Sequence, residues 1–394
     1  MTVQARGVHA TNVFHYQHVL KALIQSGYNT TVVTRHEFSE STVARIKANR
    51  FIFDQVASLA ERRVAPTVSQ PATHRFNSVA ALLHPLAARS PIGRVNSVGV
   101  RAIALREAAR CEKIARGVEL YHFIEGLGGK ALKGDSPPLR TICERRNVHY
   151  KALEVAIDIA GDYPFDGPER NPLTDVFDEE YDASTHILVY SDVARQSFVG
   201  RGHKQEAVSR IPLPFNPRVD ISSQMERGQF LYCYVGRSDA YKGIDVAVET
   251  VERLGPPFRL VVAGPMARDV RAWLASKKRV EYRGILNARE LDALYASSAA
   301  LLMPSIESFG LAVLEAAAQR THVICRETTG AKEYLRASQF TEVEGRSADI
   351  WADAIEGFSQ KRVHTGVGER PIIISEGEVV DALCDLYDAI STGS

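Results

Sequence analysis

The chain has 394 residues, 45% of them hydrophobic and 24% charged, and a formal net charge of +1. It is longer than one ordinary core and ordinary in composition, which excludes a disordered or fibrous chain and makes two globular domains the expectation. Five cysteines (Cys111, Cys143, Cys233, Cys325, Cys384) stand far apart with no Cys-x-x-Cys pair, which argues for reduced thiols in a cytoplasmic protein and against a zinc site or a disulfide framework.

The first half alternates strand-like and helix-like stretches. Residues 2–5 read as a short first strand and 6–12 as a turn-rich loop, with Thr11 or Asn12 placed to cap a helix over 13–26. In that helix Val13, Tyr16, Leu20, Leu23 and Ile24 recur at helical spacing, and Gly27 stops it. The β-branched run 30–34 completes a strand–helix–strand unit of a parallel sheet. His15 and His18 lie three apart on the helix, but with no third ligand nearby they read as packing or surface histidines. Residues 41–65 and 79–117 read as mostly helical. From Arg35 to Arg116 there are 14 Lys/Arg against six Asp/Glu, a basic excess that suits a solvated face, an anionic substrate or a peripheral membrane contact. No aromatic-interleaved basic motif accompanies it, so nucleic acid is not expected as a partner.

Strands are expected over 121–124 and 139–143. The first leads into the loop Glu125-Gly-Leu-Gly-Gly-Lys130, which lacks the spacing of a phosphate-binding P-loop. The second delivers Glu144, Arg145, Arg146, Asn147 and His149 at its end, where open parallel sheets place ligands. A helix over 150–160, an acidic helix over 177–183, a strand over 187–190 and a Ser191-capped helix follow. Pro212, Pro214 and Pro217 exclude a helix or a central strand, and mark a linker between domains.

The alternation then restarts. Strands are expected over 230–235, 258–263, 280–283, 299–303 and 322–325, with helices over 244–254, 288–297 and 311–318 and closing helices over 349–358 and 376–390. The strand ends deliver Arg237 and Lys242, the turn at Gly264, the loop at 284–286, and the elbow Pro304-Ser-Ile-Glu-Ser-Phe-Gly310 with its helix. In a parallel sheet these loops share one edge. Two cations facing a helix N-terminus make a cradle for a diphosphate, because Arg binds it bidentately and unpaired N–H groups attract it. A carboxylate such as Glu315 suits two sugar hydroxyls, and backbone at 284–286 suits a base edge.

Taken together, Gly236-Arg-x4-Lys-Gly243, Gly264-Pro265, the Gly284 loop with its Glu290-Leu-x2-Leu-Tyr295 helix, and Pro304-Ser-x2-Glu-Ser-Phe-Gly-Leu-x3-Glu315 resemble the retaining glycosyltransferases of the GT-B fold, family four, also called glycosyl transferases group 1. The resemblance covers residues 230–336 and extends more loosely over 177–217. It implies an α/β chain of two facing Rossmann-like, doubly wound parallel-sheet domains. An acceptor-binding domain would span 1–212, a linker 213–228 and a nucleotide-sugar-binding domain 229–375, with a helix over 376–394 that is free to pack back on the first domain.

The implied reaction moves a hexose from a UDP- or GDP-sugar to a hydroxyl of a saccharide or lipid-linked acceptor, with retention and with no metal or other cofactor. Arg237 and Lys242 would bind the diphosphate. Phe309, Gly310 and Leu311 would donate backbone N–H groups to it, Gly264 and Ile285 would line the nucleotide, Glu315 would hold the ribose, and Glu307 would lie by the transferred sugar. His149 is the candidate on the acceptor side. The chain departs from the family pattern at Arg6-Gly7-Val8, where Gly-Gly is usual, at Glu307-Ser-Phe-Gly310, and at Ala318-Gln-Arg320. A nucleotide-sugar epimerase and a non-catalytic nucleotide-sugar-binding subunit on the same fold are the alternatives.

Overall fold

The structure is a computed structural model, described for residues 6–11, 17–34, 73–76, 93–159, 173–361 and 373–392. The first sheet is built from β1 (Arg6–Thr11), β2 (Asn29–Thr34), β3 (Thr73–Phe76), β4 (Leu120–Ile124), β5 (Arg140–Glu144), β6 (His186–Val189) and β7 (Val208–Arg210). Its order is β3-β2-β1-β4-β5-β6-β7, with every pairing parallel. Helices α1 (Gln17–Gln25), α2 (Gly93–Ala115), α3 (Tyr150–Ile159), α4 (Thr174–Ala183) and α5 (Asp192–Val199) accompany it.

The second sheet runs β10-β9-β8-β11-β12-β13, again all parallel. Its strands are β8 (Leu231–Val235), β9 (Arg259–Ala263), β10 (Val280–Tyr282), β11 (Ala300–Met303), β12 (His322–Arg326) and β13 (Phe340–Val343). Between and after them come α6 (Ile244–Leu254), α7 (Arg268–Ala275), α8 (Ala288–Ser297), α9 (Leu311–Ala318), α10 (Ala348–Lys361) and α11 (Glu376–Thr392). Both sheets reverse direction of winding beside their first strand, between β1 and β4 and between β8 and β11, the position where doubly wound sheets open a ligand crevice. The chain is therefore an α/β protein of two Rossmann-like sheets.

Several boundaries differ from the sequence reading. Residues 6–11, expected as a loop, form a strand: Val8 and Ala10 are buried on one face and His9 and Thr11 on the other, while the strand expected over 2–5 lies outside the described residues. A strand buried on both faces shows no alternation, and Gly7 and His9 disguised it as a loop. β3, β7 and β13, of four, three and four residues, lie at or near sheet edges and are too short to carry a pattern. Helix α7 has no counterpart among the expected elements, and 330–334 form a 3₁₀ turn. The readings at Asn12, Val13, His15 and Tyr16, the helix over 41–65 and most of the basic 35–116 stretch fall outside the described residues.

Two crossovers join the halves. Phe215 and Ile374 exchange backbone hydrogen bonds of 2.9 and 3.2 Å, so the proline-rich segment and the segment before α11 form a small antiparallel bridge. α11 then packs along α1, with Tyr387 fully buried and its hydroxyl 2.8 Å from Nδ1 of His122. Lys21 and Glu376 pair at 2.5 Å at the other end of this contact.

Candidate functional site

The loop after β8 is shaped by one phenol. Tyr234, buried within β8, sets its hydroxyl 3.0 Å from the Arg237 carbonyl and 3.2 Å from that of Lys242, pinning both ends of the turn. The Ile306 N–H donates to the Tyr241 carbonyl at 3.0 Å and ties the turn to the elbow. Lys242 Nζ thereby meets Glu307 Oε1, with side chains 13% and 18% exposed. Arg237 stands further out: its guanidinium binds Asp239 at 2.7 Å and the Tyr241 hydroxyl at 2.9 Å. Each cation thus carries a carboxylate partner, and the ligand-free cradle is close to neutral.

The elbow leaves the centre of the second sheet, where β11 is hydrogen-bonded to β8 and β12. Its backbone is braced by the 328–331 turn: Glu307 N–H donates to Thr328 O, Gly330 N–H to Glu307 O and Ala331 N–H to Phe309 O. Gly310, at φ 93°, occupies the left-handed conformation that opens α9 without a side-chain cap. Among the described residues none accepts the N–H of Gly310 or Leu311, which leaves these donors to a ligand. Phe309 is buried rather than presented, its ring edge-on to Tyr190 and Tyr334 at 6.4 and 5.6 Å. Only its backbone is available to the site.

Glu315 lies one helical turn further along α9. Its Oε1 accepts from Arg218 Nη1 at 3.2 Å and its Oε2 from the Tyr295 hydroxyl at 3.2 Å. Arg218 is itself held by Asp292 through Nε and Nη2 at 2.8–3.0 Å. Gly264 is where the ends of β8, β9 and β10 converge: at φ 123°, its N–H donates to Gly284 O at 2.8 Å, and a Cβ there would overlap the Gly236 carbonyl. Ile285, next to Gly284, is 76% exposed at the same edge. The expected residues Arg237, Lys242, Gly264, Ile285, Glu307, Phe309, Gly310, Leu311 and Glu315 therefore share one edge of the second sheet.

His149 does not join them. It is 2% exposed and packs among Tyr150, Tyr181, Phe198 and His203, with ring centroids 4.8–5.9 Å away. Burial, followed by the neighbouring Arg201 and His203, pushes its pKa down to about 3. Its N–H donates to Ser197 at 2.8 Å and its Nδ1 takes the Lys151 N–H at 3.2 Å, so the ring starts α3 and fills a core. The adjacent Glu144 and Arg145 are also turned inward. Glu144 accepts from Tyr190 and lies 3.0 Å from His122 Nε2. Arg145 pairs with Glu125.

The glycine loop after β4 cradles an anion of its own. Glu180 of α4 accepts the N–H groups of Gly126, Gly128 and Gly129 at 2.6, 2.7 and 3.0 Å. The nest is filled from within, which leaves no phosphate role for it. On the interdomain side, Glu333 reaches from the second half to the N-terminus of α5, accepting from Asp192 N at 2.9 Å and Val193 N at 3.3 Å, and pairs with Arg210 at 3.1 Å. Sequence reasoning missed Arg218, Tyr190, Glu333 and Tyr295 as site neighbours. Only the placement of Tyr295 three residues after Asp292 on a helix, giving one shared face, carried a signal.

Residues 219–365 match the family model "Glycosyl transferases group 1". The second half of the chain is therefore similar to a group 1 glycosyltransferase domain. A D-inositol 3-phosphate glycosyltransferase of Corynebacterium glutamicum is 30% identical to this chain over 185 residues, covering 42% of the chain and 43% of the relative. The chain thus spans under half the length of this curated relative. Among solved structures, Anabaena HepE in complex with UDP superposes with a TM-score of 0.56 at 12% identity, over 99% of this chain and 100% of that one. Staphylococcus aureus TarM, crystallised with UDP and α-GlcNAc-glycerol among its ligands, gives 0.58 at 10% identity over 99% and 97%. At these identities the likeness is one of fold, and the fold is GT-B. Among the described residues no helix is long and apolar enough to cross a membrane, and no three His, Cys, Asp or Glu side chains are grouped to hold a metal ion.

Proposed function

We propose that the chain is a retaining hexosyltransferase that moves a sugar from a UDP- or GDP-sugar to a hydroxyl of a saccharide or lipid-linked acceptor, without a divalent metal. The observation that carries this reading is the convergence at the second switch point: Lys242 beside Glu307, the open N-terminus of α9, and Glu315 one turn along the same helix. These are the three contacts a nucleoside diphosphate needs, namely a counter-charge, oriented N–H donors and an acceptor for ribose hydroxyls.

In this reading Lys242 and Arg237 neutralise the departing diphosphate, with N–H groups of the elbow preorganised to receive its charge. Glu307, released from Lys242 as phosphate takes its place, is free to accept from hydroxyls of the transferred sugar. Retention follows if the departing phosphate takes the proton of the incoming hydroxyl on the face it leaves. His149 has no part in this chemistry. The acceptor would bind on the first domain, whose elements reach the elbow through Ile306, packed in that domain's core, and through Tyr190 against Phe309. The basic stretch proposed for peripheral membrane contact lies largely outside the described residues.

The test is product analysis by NMR after incubation with UDP- and GDP-hexoses, with and without candidate acceptors, in EDTA. An α-linked product from an α-linked donor supports the reading. Conversion of the donor sugar without acceptor would identify an epimerase instead, and binding without any turnover a non-catalytic subunit.

A further inference from the structure

The carboxylate assigned to the ribose is not free in space, and the residue that holds it comes from outside the domain. Arg218 belongs to the segment joining the halves, three residues after Phe215 of the Phe215–Ile374 bridge. Its Nε and Nη2 grip Asp292, 11% exposed, in a fork; its Nη1 reaches Glu315 Oε1 at 3.2 Å. Tyr295, three residues after Asp292 on α8, closes the other side by donating to Oε2 at 3.2 Å.

A carboxylate offers about four acceptor positions, two on each oxygen. Arg218 takes one on Oε1 and Tyr295 one on Oε2, which leaves one on each oxygen. That is the pattern two neighbouring hydroxyls require. Arg218 also offsets a charge problem. Asp292 and Glu315 are neighbouring carboxylates, and without the guanidinium between them they would repel each other and the diphosphate of the same donor.

We propose that Arg218 is a positioning residue for the donor: it fixes the Glu315 carboxylate for a ribose diol and so sets the preference for ribonucleotides over 2′-deoxynucleotides. This rests on the nucleotide-sugar reading of the site. The same contact anchors the interdomain segment to the donor helix, together with Asp220–Arg320 at 2.6 Å and Gln319 on the backbone of Val219 and Ile221 at 3.0 and 2.9 Å.

The experiment is calorimetric titration of the full chain with UDP and dUDP, and with GDP and dGDP, comparing the ratio of the two Kd values in each pair. Wild type is expected to favour the ribonucleotide roughly tenfold or more, about one charged hydrogen bond. Glu315→Ala should bring the ratio to near one. Arg218→Met should lower the ratio toward that of Glu315→Ala, and Arg218→Lys, which keeps charge but cannot fork between two carboxylates, should fall between. If Arg218→Met unfolds, Arg218→Met with Asp292→Asn removes the cation and its anchor's charge together. A wild-type ratio in a folded Arg218 variant overturns the inference while leaving the Glu315 reading intact. An unchanged ratio in Glu315→Ala removes the ribose reading, and the inference with it.

Discussion

Lys242 and Glu307 form the contact on which the donor cradle depends, and a double-mutant cycle measures it. Their side chains, 13% and 18% exposed, place the pair between two limits. Exposed pairs are worth about 0.2–1 kcal/mol, and breaking a fully buried one costs about 3–5 kcal/mol. Lys242→Ala is therefore expected to cost about 1–3 kcal/mol, chiefly because Glu307 is left half-buried without its counter-charge. Glu307→Gln in that background should recover part of the loss. Nucleotide binding should follow a related pattern with a larger amplitude. Losing one charged hydrogen bond of about 1.5–3 kcal/mol weakens a nucleoside diphosphate by roughly 10–150-fold, and the uncompensated Glu307 adds repulsion. The double variant should then bind more tightly than Lys242→Ala alone. Urea denaturation gives the stability terms, and titration calorimetry with UDP and GDP gives the affinities. Wild-type affinity in Lys242→Ala, or a double variant that binds no better than Lys242→Ala, would refute the reasoning.

Further expectations concern other parts of the molecule. Gly264→Ala forces an L side chain to φ 123° and into the Gly236 carbonyl, so it should lower stability by at least about 2 kcal/mol and be seen as a depressed Tm; an unchanged Tm would contradict the close approach of β8 and β9. The pH profile should turn down in acid. Burial, and then His122, holds His9 down to about 3, so between its unfolded value of 6.5 and about 3 the unfolded chain binds a proton that the folded chain refuses, and stability falls with pH. Glu144, held down to about 2 by His122 despite its burial, adds a loss below 4.5, and Glu180, pushed up to about 7 by burial, opposes the trend between 7 and 4.5. The steep loss is therefore expected below about pH 4.5, and a Tm that rises on going from pH 5 to 3.5 would contradict it. His149→Phe should fold, lose part of the acid slope and keep turnover; loss of turnover in the folded variant would return His149 to the chemistry. Glu333→Gln should loosen the two halves by removing the charge that caps α5 and pairs with Arg210, read as faster proteolysis between residues 212 and 228. Unaltered cleavage would show that this contact does not hold the domains.

The fold was legible where strands alternate with long periodic helices. Residues 244–254 and 288–297 were read to the residue, because Gly243 and the Asn287–Glu290 capping box mark their starts. The first strand was not legible, because burial of both faces erases alternation and a sequence of Gly, Val, His, Ala and Thr carries no helix or turn contradiction to replace it. The short outer strands β7 and β13 form because a neighbour offers a ladder, which is information outside their own residues.

The site divides along the same line. Lys242, Glu307 and Glu315 sit on local motifs whose spacing fixes them at a strand end or helix start. Arg218 lies in a stretch where Pro212, Pro214 and Pro217 announce only a linker, and its partners Asp292 and Glu315 are 74 and 97 residues away. His149 followed a strand that does point to the crevice, but the sequence did not show that Tyr181, Phe198 and His203 would close over it. The buried set of His122, Glu144, Tyr190 and Tyr387 is assembled from β4, β5, the end of β6 and the last helix. No spacing rule connects residues so distant, and only the folded chain shows that this set runs from α11 to the ring behind the elbow.

The most direct test of the account is nucleoside diphosphate release from a panel of UDP- and GDP-hexoses, followed in EDTA for the wild-type chain and for Lys242→Ala and Glu315→Ala. The account predicts slow release from donors of one base in the wild type, loss of turnover in folded Lys242→Ala, and a raised donor requirement in Glu315→Ala. Release that needs added Mg²⁺, or release that persists unchanged in Lys242→Ala, would contradict it.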